Sequence, residues 1–420
     1  MLGDQSLLKH YNNCLGKLKS VAADGSIMPR YSSTLDKVPK YPFARVSQIS
    51  REVQERDGVS VVNIRIGIPD KEAPETIKRL MSKFILEKES TFGYPCDVHP
   101  ERGIPELVDA IIQHYDERHG ADLNPENIAV TSWTKEALHN IARLFGEGRG
   151  VVPVPVYPAY LSGILLSGHE LKTVTTSEET GWLPNMKFEK GDIFFYFCDP
   201  NNPTGAVANR EYYEDLSQKM VRHDMGGIFD KAYKDYTFDE NVKPLSITEI
   251  PSIMDYGFEV VSLSKHYNFV GIGLGWIVSS KDNIDKWLKF SSQYSQGVAW
   301  YEQKAGVEAL TNPDVKKELW DYMEEVKQRK DTFVNGLNKL GLKCKPPKAT
   351  PYLFPRIPEA FKDNDEHFAL KTLLEKAHVA TMPGSYFGES GKGHIRVTLF
   401  QPKPVIEEAL RRIDEIRDWQ

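Results

Sequence analysis

Three apolar stretches of this chain run into clusters of reactive side chains. Ile193-Phe194-Phe195-Tyr196-Phe197-Cys198 leads into Asp199-Pro200-Asn201-Asn202-Pro203-Thr204-Gly205, the stretch at 226–230 into Asp230-Lys231-Ala232-Tyr233, and the stretch at 257–262 into Ser262-Leu263-Ser264-Lys265. Open α/β sheets bind ligands beyond the carboxyl ends of their strands, so an amide, a carboxylate, a phenol, two hydroxyls and an amine would meet at one edge. Singly, each has a plainer role: turn chemistry for Asn202-Pro203-Thr204-Gly205, a cap for Asp230, a solvated cation for Lys265, packing for Tyr233. Their order and spacing together point to one site.

The elements that position these groups follow from hydrophobic periodicity. Helices are expected near 74–88, 104–118 and 134–145, and strands near 127–131, 150–154, 171–175, 193–198, 226–230 and 257–262. That alternation implies a mainly parallel sheet with helices on its faces. The uninterrupted apolar run at 193–198 suits a central strand buried on both sides. Past residue 300 the pattern changes: an amphipathic helix near 314–340 puts Val315, Leu319, Met323, Val326, Phe333 and Leu337 on one side, and Tyr352–Pro358, Phe361–His378, Ile395–Phe400 and Val405–Trp419 read as strand, helix, strand, helix. Residues 1–45, with Pro29, Pro39 and Pro42 interrupting any long helix, read as an N-terminal arm. The expected organisation is arm 1–45, a small-domain segment 46–75, a large domain 76–305 and a smaller α/β domain 306–420. No fixed-period repeat or low-complexity tract is visible.

Composition excludes several classes. With 420 residues, 40% hydrophobic and 27% charged, the chain can build sizeable cores and is not a disordered or collagen-like sequence. Its 53 basic and 59 acidic residues give a net charge of −6 without a basic block, which argues against nucleic acid. Residues 1–20 hold no uninterrupted apolar segment, and no stretch reaches the about 18 apolar residues of a membrane span. Cys14, Cys96, Cys198 and Cys344 are scattered, without a CxxC pair or His at ligand spacing, so neither zinc nor a disulfide framework is expected, and a reducing cytoplasm fits.

The chain from about Ile64 onward resembles the class I and II aminotransferases, pyridoxal-phosphate enzymes of the aspartate aminotransferase fold. The resemblance rests on Gly67-Ile68-Pro69-Asp70, Gly103-Ile104-Pro105-Glu106-Leu107, Thr131 to Leu138, Pro155-Val156-Tyr157-Pro158-Ala159-Tyr160, the three clusters above, Pro383-Gly384-Ser385 and His394-Ile395-Arg396-Val397. Thr134-Lys135 after Trp133, and Ser295 to Val298, look most like the diaminopimelate aminotransferase branch. The resemblance implies a large domain with a mostly parallel, seven-stranded-type sheet, a homodimer with a shared active site, and ping-pong transfer of an amino group between an L-amino acid and a 2-oxo acid. Lys265 would hold pyridoxal 5'-phosphate as a Schiff base and shuttle the proton. Asp230 would keep the pyridine nitrogen protonated, Asn202 and Tyr233 would bond the ring oxygen, and Tyr157 would stack on the ring. The phosphate would be met by the helix start at Trp133, Thr134 and Lys135, by Ser262 and Ser264, and by Tyr94 from the neighbouring subunit. Arg396 would grip the substrate carboxylate, with Gly67 and Asn202 beside it.

One position departs from the family pattern. Where an arginine usually follows the lysine in SKxxxxxGxRxG, this chain has Gly273. Either a substitute cation serves the phosphate, Lys135 being the first choice and His266 another, or Gly273 is required because a neighbour fills that volume or the backbone takes positive φ. Since a fold and cofactor do not determine the reaction, β-elimination, an ACC-synthase-like cyclisation, amino-acid oxidation and a non-catalytic binding role stand as alternatives.

Overall fold

The computed structural model describes residues 31–87, 102–239 and 241–418, with the backbone of Ser20–Val21 and Ile27–Met28. These fall in two compact units, Met1–Pro39 and Lys40–Gln420. In the first, β1 (Ser20–Val21) pairs antiparallel with β2 (Ile27–Met28). The expected contribution of Tyr94 lies outside the described residues.

The second unit begins with a helix, Pro42–Asp57. Pro42 does not interrupt it. Proline at the first helical position has no amide to lose and a φ already suited to the helix, and Gly58 closes the far end in the left-handed conformation. Val46 and Val53 are the positions it buries, against Leu370, Leu374 and Met382.

After β3 (Val62–Asn63) the chain builds a seven-stranded sheet from β4 (Ile128–Ser132), β5 (Arg149–Val154), β6 (Glu170–Thr175), β7 (Asp192–Cys198), β8 (Gly226–Asp230), β9 (Gly257–Ser262) and β10 (Leu274–Val278), in the order β4-β10-β9-β8-β7-β5-β6. Neighbours from β9 through β8, β7 and β5 to β6 are parallel. β10 is antiparallel to both β9 and β4, so β4 points the same way as β9. β7 shows why the sheet is two-sided: Phe194 and Tyr196 join one core with Leu138, Ile141 and Ile164, while Phe195 and Phe197 join the opposite core with Leu216 and Met220. This is the expected mostly parallel, helix-covered α/β sheet. β10 was not among the expected strands, since its sequence adjoins the glycine-rich stretch after Lys265.

A smaller layer follows. β11 (Tyr352–Leu353), β14 (Ile395–Thr398) and β13 (Met382–Pro383) form an antiparallel sheet in that order, and β12 (Val379–Ala380) pairs in parallel with β3. The helix Pro313–Lys339 buries Val315, Leu319, Val326, Phe333 and Leu337, with Met323 packed at the margin, so the amphipathic stripe read from spacing is the buried one. The segment expected as a helix over 361–378 is one continuous helical stretch over 365–377, starting four residues later than expected, with π-helical turns over Phe368–Leu374 between short α-helical ends.

Candidate active site

The sheet topology gathers the candidates. β4, β5, β7, β8 and β9 all point one way, so the segments after their carboxyl ends meet at one edge, together with the start of antiparallel β10. There a cavity of about 440 Å³ is lined by Gly67, Trp133, Thr134, Lys135, Tyr157, Asn202, Asp230, Tyr233, Ser262, Ser264, Lys265 and Arg396. Apart from Tyr94 and the alternative cation His266, every site residue named from the sequence lies in this wall. The wall also holds Tyr41, Phe43, Arg65, Tyr160 and Tyr352, which the sequence reading did not select. Tyr160 could have been found three residues after Tyr157. Arg65 stands as a lone cation in the run from Val61 to Ile68, a signal that was there to be read.

Lys265 follows the end of β9, and its Nζ donates to the carbonyl of Gly67 at 2.6 Å. Desolvation, helped by the positive charge of Arg396, lowers its pKa to about 8 although Asp230 opposes the shift. A larger neutral fraction makes the amine a nucleophile near neutral pH. Gly67 is required by close approach, since a Cβ there would lie 2.0 Å from the Tyr352 hydroxyl.

Asp230 ends β8 and is buried. One carboxylate oxygen accepts from the Tyr160 hydroxyl at 2.5 Å and the other from the Ala232 amide at 2.9 Å. Burial pushes its pKa up despite these donors, which are neutral. A cation brought against this carboxylate would relieve that penalty. Beside it, Asn202 Nδ2 donates to the Tyr233 hydroxyl at 3.4 Å, and Tyr233 shares a hydrogen bond with Tyr352 at 3.0 Å. Asp199, in the same turn as Asn202, forms a fully buried ion pair with Lys231 at 2.8 Å, with Tyr213 bonded to both. That pair ties the ends of β7 and β8 together.

At the other end of the cavity the helix Thr134–Ile141 begins after Trp133 with no side-chain cap, leaving its first amides free for an anion. The Ser262 hydroxyl accepts from the Ser264 amide at 3.1 Å, so its own hydrogen is available to donate. Lys135 is exposed with its ammonium 4.8 Å from the centre of the Tyr41 ring. His266 is not in the cavity wall; its ring packs against Tyr236 and Tyr267 and burial lowers its pKa, which removes it as the substitute cation.

Gly273 is explained by a neighbour. The register pairing Leu274 with Ser132 brings Gly273 beside Trp133, whose amide donates to the Gly273 carbonyl at 3.1 Å. A Cβ on Gly273 would lie 2.5 Å from Trp133 Nε1 and 2.7 Å from Cε2. Gly273 is not among the glycines with positive φ; Trp133 is the residue with that conformation, at φ 64°. The indole therefore stands where a side chain on Gly273 would begin, which supports the occupied-volume reading over that of a positive φ.

Arg396, on β14, is buried, so it is not a surface strand arginine. Its Nη1 donates to Asn202 Oδ1 at 3.0 Å and its Nη2 to the Arg65 carbonyl at 2.7 Å. The guanidinium lies 4.3 Å from the Tyr352 ring centre and 4.8 Å from that of Phe387, while Nε has no partner. Four basic side chains, Arg65, Lys135, Lys265 and Arg396, line the cavity against one acid, Asp230. The donor set fits an anionic group at the helix end, a protonated ring nitrogen at Asp230 and a carboxylate at Arg396.

The sequence profile of aminotransferase class I and II matches residues 59–413. The chain belongs to that family. This aminotransferase is 32% identical over 395 residues to LL-diaminopimelate aminotransferase 2 of Trichormus variabilis, covering 92% of this chain and 98% of that protein. It is 31% identical to LL-diaminopimelate aminotransferase of Halothermothrix orenii, covering 90% and 96%. Among solved structures it resembles substrate-bound BacF from Bacillus subtilis, with a TM-score of 0.84 at 30% identity over 92% of this chain and 98% of that one. A Thermus thermophilus aspartate aminotransferase single mutant superposes with a TM-score of 0.83 at 25% identity, over 93% and 100%. The chain is a pyridoxal-phosphate-dependent transaminase that acts on an amino acid and a 2-oxo acid. Among the described residues no helix is long and apolar enough to cross a membrane.

Proposed function

We propose that Lys265 carries the cofactor through its amine and then serves as the acid and base that moves the proton during transamination. The observation that carries this reading is the convergence of Lys265, Asp230, Tyr233, Asn202 and Arg396 on one cavity, with Lys265 half-buried and its pKa brought down to about 8. Pyridoxal phosphate, when bound, supplies the ring that delocalises the electrons left at the substrate Cα. Asp230 supports that role by holding a proton on the ring nitrogen. Asn202 and Tyr233 hold the ring's 3′ oxygen, and Tyr157 covers the ring face.

Trp133, Thr134, Lys135, Ser262 and Ser264 hold the phosphate, and Tyr94 of a second copy completes that end in a homodimer. Arg396 takes the substrate α-carboxylate, with Asn202 and Gly67 beside it. The arm 1–45, segment 46–75, large domain 76–305 and small domain 306–420 are the proposed organisation. A cytoplasmic location is supported by the free thiols of buried Cys198 and Cys344.

The names of the relatives make LL-diaminopimelate the first amino donor to assay. Borohydride reduction of the holoenzyme followed by peptide mapping tests the central assignment. Label on the peptide containing Lys265 is expected; label on another lysine would overturn it.

A further inference from the structure

Residues 64–70 present a row of hydrogen-bond acceptors beside the cavity. The Ile64 carbonyl accepts from the Thr398 amide at 2.9 Å, the Arg65 carbonyl from Arg396 Nη2 at 2.7 Å, and the Gly67 carbonyl from Lys265 Nζ at 2.6 Å. The segment then reaches Asp70, whose Oδ1 accepts from the Tyr322 hydroxyl at 2.6 Å and from Arg329 Nη1 at 2.8 Å. Arg329, on the helix Pro313–Lys339, is buried and also donates to the carbonyl of Leu399, just past β14, at 3.3 Å. Burial works against the charge of Asp70, yet the bonds from Arg329 and Tyr322 hold its pKa below the ordinary carboxylate value.

The two ends of the row are held differently. Ile64 and Arg65 are bonded to β14, which carries Arg396 itself. Past Ile64 the backbone ladder ends, and the Asp70 carboxylate is the next buried tie. A second pair from this segment to the same helix, Lys71 with Glu325, has both side chains 46% exposed and is a weak tie. The spacing along the row matters to the reaction. Arg396 takes the α-carboxylate, one bond from Cα, and Lys265 must reach the proton on Cα, so residues 65–67 separate two groups that act on adjacent atoms.

We propose that Asp70, Tyr322 and Arg329 are positioning residues for the proton transfer: acting through the Gly67 carbonyl, they fix the separation of the Lys265 amine from Arg396. The proposal rests on the roles of Lys265 and Arg396 given above.

The test compares wild-type, Asp70→Ala, Asp70→Asn, Tyr322→Phe and Lys71→Ala holoenzymes in single-turnover half-reactions with LL-diaminopimelate and glutamate, each protio and deuterated at Cα. A misplacement of about 1 Å can cost about 100-fold in rate, so Asp70→Ala is expected to lower the limiting rate about 10- to 100-fold and to raise the isotope effect. The half-saturating concentration should stay near wild type, because Arg396 keeps its tie to Arg65. Asp70→Asn and Tyr322→Phe, which each keep part of the anchor, should fall between, and they decide the matter if Asp70→Ala does not fold. Lys71→Ala should match wild type. A purely structural role would lower the urea midpoint of Asp70→Ala and leave the limiting rate and isotope effect of the folded enzyme unchanged, which would overturn the proposal.

Reductive methylation of the apo-proteins, read at the Lys265 peptide by mass spectrometry, checks the tether without substrate. Lys265 faces the charges of Arg396 and Asp230 in wild type and titrates at about 8. A carbonyl acceptor favours the ammonium form, so its loss in Asp70→Ala should lower the midpoint by about one pH unit. If the midpoint falls but the half-reaction is unchanged, the row holds Lys265 and it is the role of Lys265 in proton transfer that fails. If neither changes, the positioning proposal fails.

Discussion

Restoring an arginine at position 273 is the substitution that most directly separates two accounts of the cofactor site. If the site only lacked charge, Gly273→Arg would add a charge-assisted hydrogen bond of about 1.5–3 kcal/mol and tighten pyridoxal phosphate about 10- to 150-fold. The structure argues otherwise. Carbon atoms in contact lie about 3.5–4.0 Å apart, so the Cβ alone, 2.5 Å from Trp133 Nε1, intrudes by about an ångström into a rigid ring. Overpacking of this degree costs about 1–3 kcal/mol, enough to cancel the new bond.

The indole cannot simply follow its backbone away, because the Trp133 amide is held by the Gly273 carbonyl. Gly273→Arg alone is therefore expected to bind the cofactor no more tightly than wild type, and up to about 10-fold more weakly. Trp133→Gly vacates the volume and suits the positive φ at that residue. The double variant Trp133→Gly/Gly273→Arg should bind at least about 10-fold more tightly than Trp133→Gly alone, which is one charge-assisted bond recovered. Titration of the apo-proteins with pyridoxal phosphate at fixed ionic strength, followed by absorbance, gives the four dissociation constants. A single Gly273→Arg variant that tightens binding 10-fold or more would show that the indole was never the obstacle, and that reasoning would fail.

Other expectations concern different parts of the molecule. Reaction of the apo-protein with pyridoxal phosphate should accelerate as pH rises through about 8, because the Lys265 amine is protonated below that value and nucleophilic above it; a midpoint near the ordinary lysine value of about 10.4 would contradict the lowered pKa. Lys265→Ala should abolish turnover, and full activity in that variant would remove the lysine from the mechanism. Lys231→Met, which leaves the Asp199 carboxylate buried and unpaired, should cost about 3–5 kcal/mol in urea unfolding, and a loss below about 1 kcal/mol would mean the pair does not join β7 to β8 as described. If the active site is shared, mixing inactive Lys265→Ala with inactive Tyr94→Phe chains should restore part of the activity, whereas a fully active monomer by light scattering would refute the homodimer.

Much of the site was legible because its chemistry sits in short contiguous segments. Asp230, Lys265, Asn202 and the Thr134 helix start each follow an apolar run whose length and burial demand a strand, and a parallel sheet places all such ends at one edge whatever the remaining packing. The helix over Pro313–Lys339 was equally readable, since its buried positions recur at helical spacing. What the sequence by itself determined, then, was which groups stand at strand ends and that those ends converge.

Tertiary structure decided the rest. Tyr41 and Tyr352 are far in sequence from the motifs, and only the docking of the Pro42–Asp57 helix, which Tyr41 precedes, and of β11 brings them to the cavity wall. Gly273 is the clearest case. Nothing local distinguishes a missing arginine from an occupied volume; the answer lies in Trp133, 140 positions earlier, which reaches Gly273 only because β10 turns back antiparallel between β9 and β4. Strand register, a property of the paired backbone, fixed that contact.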